Sequence, residues 1–171
     1  MTKIIPAILA YNKEEFDSKV EVLKGLVDWV QVDAYPGLYW DLDIPFKVEA
    51  HVMLEDPDLA EFQKADRIVV HQGDVSWSGK DYVLVLSVKA GKSGQGFKEN
   101  SLEVVKKLRS EHPHIDIAVD GGVNLENCER IVRAGANILI VGSYLFNSKN
   151  IKESLHELQN CCFRSGGRGM Y

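Results

Sequence analysis

The chain has 171 residues, of which 45% are apolar and 26% charged, and its formal net charge is −5. That length suits one domain with a real core, and the acidic balance argues against nucleic acid or an anionic membrane surface as a partner. No signal peptide or bilayer-spanning apolar run is read, and Cys128, Cys161 and Cys162 have neither disulfide-framework nor zinc spacing, so reduced thiols in a cytoplasmic protein are expected.

Residues 3–9 predict a first buried strand. Asn12 and Glu15 form a capping-box-like start, and Phe16, Val20, Leu23 and Val27 mark one helix face. A second strand, 28–33, ends in Asp33, and residues 34–45, with Pro36, Gly37 and Pro45, hold no convincing helix. A third strand, 47–53, carries His51 near its end. Asp56-Pro57 then predicts a short helix with the aspartate as cap and the proline at its first position.

A fourth strand, 67–71, ends at His71, and a fifth, 82–88, follows. The link between them is short for a parallel crossover, but extended chain can cover the length of a strand. Such a bare link leaves the outside of the sheet open there, to be covered by a partner subunit or by the indole of Trp77. The glycine-rich stretch 89–96 reads as a lid. Its Gly91-Lys92-Ser93 has only a superficial likeness to a nucleotide-binding loop, because the upstream glycine is absent.

A helix with Leu102, Val105 and Leu108 on one face precedes a sixth strand, Ile115 to Asp120, which runs into Gly121-Gly122-Val123-Asn124. Asn124 is expected to cap a helix carrying Leu125, Cys128, Ile131 and Val132, which Gly135 stops. The seventh strand, 137–141, ends in Gly142-Ser143. A last helix carries Ile151, Leu155 and Leu158, and residues 164–171 have the composition of a flexible tail.

Strands that alternate with helices are expected to be parallel. The reading is therefore an α/β fold, a shortened TIM-type (β/α) barrel of seven parallel strands in one domain, residues 1–163. The C-terminal strand ends of such a barrel converge on one mouth, and Asp33, His51 and Asp120 lie there. Two carboxylates and an imidazole can hold a divalent metal or act as acid and base; the alternative is a solvated polar rim. His71 is an optional participant. The turns Gly121-Gly122 and Gly142-Ser143 close adjacent strands, a frequent place for a phosphate in barrels.

Several motifs taken together resemble the ribulose-phosphate 3-epimerase family. They are Ile5-Pro6-Ala7-Ile8-Leu9, Trp29-Val30-Gln31-Val32-Asp33, His51-Val52-Met53-Leu54-Glu55-Asp56-Pro57, Val83-Leu84-Val85-Leu86-Ser87-Val88, Gly94-Gln95, Val119-Asp120-Gly121-Gly122-Val123-Asn124 and Gly142-Ser143-Tyr144-Leu145-Phe146. The resemblance implies an isomerase that epimerises a pentulose phosphate of the ribulose 5-phosphate/xylulose 5-phosphate type. It implies Asp33 and Asp120 as the acid/base pair. A divalent metal, zinc, iron or manganese, would sit on Asp33, His51, Asp120 and the Gln31 position. Substrate and phosphate contacts would come from Ala7, Met53, Gly91, Gly94, Gly121, Gly122, Gly142 and Ser143. A phosphosugar substrate and a homo-oligomer are implied as partners.

The chain also departs from the family pattern. Gln31 stands where the family has a metal-binding histidine, and Ala7 replaces a serine. A helix is missing between Asp33 and Lys47, and a helix and a strand between His71 and Tyr82. Those departures carry the alternative of a catalytically weak or inactive relative that binds a phosphorylated sugar. An open barrel edge closed by a second copy is the companion expectation.

Overall fold

The computed structural model describes residues 2–89 and 96–166. The fold is an eight-stranded, nearly closed α/β barrel. Its strands are β1 (Lys3–Ile8), β2 (Trp29–Ala34), β3 (Lys47–Val52), β4 (Arg67–Val70), β5 (Val75–Ser78), β6 (Tyr82–Leu86), β7 (Asp116–Asp120) and β8 (Ile138–Val141). Around the wall they run β4-β3-β2-β1-β8-β7-β6-β5. The helices are α1 (Lys13–Leu23), α2 (Ser101–Glu111), α3 (Cys128–Ala134), α4 (Ser143–Phe146) and α5 (Ile151–Gly166).

The seven strands expected from the sequence are present and parallel, and an eighth is added. β5 occupies the link that looked bare, and it runs antiparallel to β6 with Ser76 opposite Leu84 and Trp77 opposite Val83. A reversed strand needs only a tight turn at each end, whereas a parallel crossover needs a dozen residues or more. Gly73 (φ +79°) and Gly79 (φ +70°) supply those turns in the left-handed region. Between β4 and β5 two serine hydroxyls bridge the wall: Ser76 Oγ accepts from Gln72 N at 2.8 Å, and Ser78 Oγ donates to the Ile68 carbonyl at 2.6 Å. Among the described residues no helix lies between β4 and β6, and Trp77 remains 37% exposed, edge-on to the His112 ring.

Several local expectations are corrected. Asp56 does not cap a helix but takes φ +51°, and the helical turn Leu59–Phe62 is capped by Asp58, whose Oδ1 accepts from Ala60 N at 2.9 Å. α3 starts at Cys128 rather than 125, because Asn124 first closes a turn on Glu126 and Asn127. Leu125 is consequently exposed. Cys128 and Cys161 are disulfide-bonded, joining α3 to α5, while Cys162 is a free buried thiol. Two helices that pack side by side bring together cysteines whose sequence spacing said nothing. α5 extends through Gly166, so helix replaces the start of the expected tail; its remainder, 167–171, lies outside the described residues. The start at Asn12 holds: its Oδ1 accepts from Glu15 N at 2.9 Å, and Glu15 Oε2 accepts from Tyr11 N at 2.9 Å. No helix of the described residues is long and apolar enough to cross a membrane.

Strand alternation sorts the side chains into two sets. Val30, Val32, Val48, Ala50 and Val52 point outward and pack against Phe16, Val20 and Leu23 of α1. The inward set includes Ile5, Ala7, Val69, Tyr82, Leu84, Ala118, Ile138 and Ile140. The inward parity on β2 and β3 falls on Trp29, Gln31 and Asp33, and on Glu49 and His51. The lumen is therefore apolar along one wall and polar along the other.

Candidate functional site

The register of the ladder builds the site. Asp33 lies beside His51, and Gln31 beside Glu49, across the β2–β3 pair. Asp120, the last residue of β7, faces them across the mouth. Gln31 is fully buried, and His51 and Asp33 are 1% and 8% exposed. The sequence thus named Asp33, His51 and Asp120 correctly as neighbours: a ligand atom from each lies within 4.8 Å of the other two.

Gln31 ties them together. Its Nε2 donates to Asp33 Oδ1 at 3.1 Å and to Asp120 Oδ2 at 2.9 Å. The same two oxygens lie 3.3 Å and 3.7 Å from His51 Nδ1. Gln31 Oε1 and both ring nitrogens of His51 have no hydrogen-bond partner. Burial, and next the charge of Asp33, push the Asp120 carboxyl up to about 7. For His51, burial opposes the charged form, but the Asp33 carboxylate beside the ring, with the charges of Asp120 and Glu49, raises it above its ordinary value. Asp120 and His51 therefore both hold a proton to higher pH than they would in water. The His71 ring lies 5.7 Å from that of His51, and burial and the charge on His51 lower its pKa.

The turn after β7 is held rigidly. Gly121 (φ +100°) and Gly122 (φ +64°) are both left-handed. A Cβ on Gly121 would lie 2.5 Å from Val88 Cγ2. The Ser87 hydroxyl donates to the Asp120 carbonyl at 3.0 Å and also bonds the Gly121 carbonyl. Asn124 and Asn127 interlock: Asn127 Oδ1 accepts from Asn124 N, and its Nδ2 donates to the Gly122 carbonyl, both at 2.9 Å. Beside this turn an open cleft of about 510 Å³ is lined by Gly122, Asn124, Ser143, Tyr144, Asn147 and Ser148 among others. Its lining suits a polar, oxygen-rich group.

Of the other expected contacts, Ala7 ends up 7% exposed, its carbonyl and Cβ beside Gly142. Met53 follows β3, with its N–H on the Ala34 carbonyl at 2.8 Å. Gly91 and Gly94 lie outside the described residues. The sequence reading missed Glu49, Ser87 and the Tyr144-to-Ser148 wall of the cleft. Glu49 carried a signal, since it stands two residues before His51 and must share its face. Ser87 and the cleft wall act through tertiary contacts and left none.

Residues 75–146 match the profile of the ribulose-phosphate 3 epimerase family. That stretch of the chain is similar to the ribulose-phosphate 3-epimerase family. The chain is 40% identical over 84 residues to the ribulose-phosphate 3-epimerase of Aquifex aeolicus, covering 47% of this chain and 38% of that one. It is 34% identical over 85 residues to that of Schizosaccharomyces pombe, covering 50% and 37%. The aligned stretch thus spans under two fifths of these relatives. A longer alignment, to the Bacillus subtilis epimerase, is 26% identical and covers 93% of this chain and 99% of the relative. Among solved structures, orotidine 5'-phosphate decarboxylase from Pyrococcus horikoshii OT3 shares the fold with a TM-score of 0.56 at 17% identity, covering 94% of this chain and 99% of that one. A 3-hexulose-6-phosphate synthase does so with a TM-score of 0.55 at 14% identity and the same coverage. The profile match includes Asp120 and both glycine turns, while Gln31, Asp33 and His51 precede it.

Proposed function

We propose that this protein is an isomerase that epimerises a pentulose phosphate by proton transfer between Asp33 and Asp120. The observation that carries the reading is the pairing of these two carboxylates from β2 and β7, held by one amide beside a buried imidazole. One carboxylate takes the proton from carbon 3 of the sugar, which leaves an enediolate. The other returns a proton to the opposite face, and the two roles exchange for the reverse epimer. Gly121, Gly122, Gly142 and Ser143 border the space assigned to the phosphate, where backbone N–H groups at the turns can meet its oxygens. Ala7 and Met53 flank the sugar.

A divalent cation fits the donors: one imidazole nitrogen and two carboxylate oxygens are a common three-ligand set that leaves coordination positions open. Asp33, His51 and Asp120 would hold it, and it would supply positive charge next to the oxygen that becomes anionic. The amide between the carboxylates also favours a second reading, a relative that binds a phosphosugar without turning it over. Solvent deuterium incorporation at carbon 3 of ribulose 5-phosphate separates the two. Incorporation that Asp120→Asn abolishes is expected; binding of the sugar phosphate with no incorporation under any added Zn²⁺, Mn²⁺ or Fe²⁺ would establish the second reading.

A further inference from the structure

Besides the two ring nitrogens of His51, one further atom at the mouth is unmatched. Gln31 Oε1 is buried and has no donor, while the nitrogen of the same amide serves two carboxylates. A buried acceptor left without a donor is unfavourable. A half-turn about the last side-chain bond would exchange Nε2 for Oε1 with no movement of β2. Without a cation that half-turn is opposed, because it would set an amide oxygen against two carboxylates. With a cation among Asp33, His51 and Asp120 the preference reverses: left as it is, the amide would set its hydrogens against a positive charge, and turned, it would offer that charge its oxygen.

We propose that Gln31 is a two-state ligand, whose NH₂ clamps Asp33 and Asp120 in the metal-free protein and whose Oε1 turns in as a fourth protein ligand when a divalent cation binds. The inference rests on the reading of Asp33, His51 and Asp120 as a cation site. It assigns a donor set of three oxygens and one nitrogen. Oxygen donors suit Mn²⁺, whereas a second imidazole would suit Zn²⁺. Gln31 therefore sets the choice of metal by narrowing the advantage that Zn²⁺ holds over Mn²⁺.

The test is calorimetric titration of metal-free wild-type, Gln31→His and Gln31→Leu proteins with Mn²⁺ alone and Zn²⁺ alone. Spectra of protein carrying ¹⁵N-labelled glutamine follow the Gln31 side-chain NH₂ as Zn²⁺ is added. The expected results are a Zn²⁺-to-Mn²⁺ affinity ratio roughly tenfold or more higher in Gln31→His, and weaker Mn²⁺ binding in Gln31→Leu. The Gln31 NH₂ resonances should also leave their hydrogen-bonded positions as Zn²⁺ binds. Equal Mn²⁺ affinity in wild type and Gln31→Leu, with unmoved resonances, would overturn the inference and leave the three-ligand site intact. Absence of binding by either metal to wild type and Gln31→His would overturn the cation site as well. If neither variant folds, the wild-type NH₂ resonances alone decide.

Discussion

At the lower end of the barrel lumen the buried Glu49 meets Arg67 at 2.8 Å, and the guanidinium lies 3.8 Å from the ring centre of Tyr82 and 4.9 Å from that of Trp29. At the upper end two carboxylates face each other across a neutral amide and an imidazole. Both ends bury acid, and β2 and β3 supply side chains to both. The lower end answers its carboxylate with a permanent cation and aromatic faces. The upper end answers two carboxylates with a neutral amide and an imidazole, whose charge depends on pH. A charge matched by a fixed partner serves the fold, and one matched by a movable partner serves chemistry.

That contrast is broken most severely at the top. Asp120→Asn should lower the rate of carbon-3 proton exchange by about 10²- to 10⁴-fold while leaving the circular dichroism unchanged. At the bottom the effect should appear in stability instead. Arg67→Met strands Glu49 and should cost about 3–5 kcal/mol, seen as a fall in Tm of about 10 °C, and Glu49→Leu in the same chain should restore most of it. Asp120→Asn paired with Asp33→Asn should show no such stability penalty.

Gly121→Ala tests the rigid turn. The left-handed backbone and the collision with Val88 should destabilise the protein by about 1–3 kcal/mol and weaken phosphosugar binding, measured by thermal shift with and without ribulose 5-phosphate. A smaller effect concerns pH in the metal-free protein. Asp120 rises from 3.8 to about 7 on folding, so between those values the folded state holds a proton that the unfolded state has released. His51 is raised as well. Both contributions are present at low pH and are lost as pH rises, so Tm should fall between pH 5 and pH 8, and less so in Asp120→Asn. Last, Ser76→Ala should cost about 1 kcal/mol by removing one hydroxyl bridge of the wall.

The upper end was legible in the sequence because it follows from two local rules: strands end where apolar runs give way to polar and turn-forming residues, and parallel strands bring those ends together. Asp33, His51 and Asp120 needed nothing more. The lower end was not, since Arg67 and Tyr82 enter their strands among ordinary polar and aromatic residues and meet Glu49 only through the barrel's closure. β5 was missed for a related reason. Val75-Ser76-Trp77-Ser78 alternates as a strand should, but it is four residues long, and its direction depends on neighbours rather than on its own pattern. The Cys128–Cys161 bond likewise records the packing of α3 on α5.

The reversed β5 also has a kinetic meaning. Every other neighbouring pair in the wall is locked by a backbone ladder, whereas among the described residues β4 and β5 touch through serine hydroxyls. The cylinder is in effect a curved sheet whose two margins are buttoned rather than stitched. Opening should begin at that margin and travel inward. In native-state hydrogen exchange, amides of β5 should report the least protection, and those of β1 and β8, diametrically opposite, should exchange only through global unfolding.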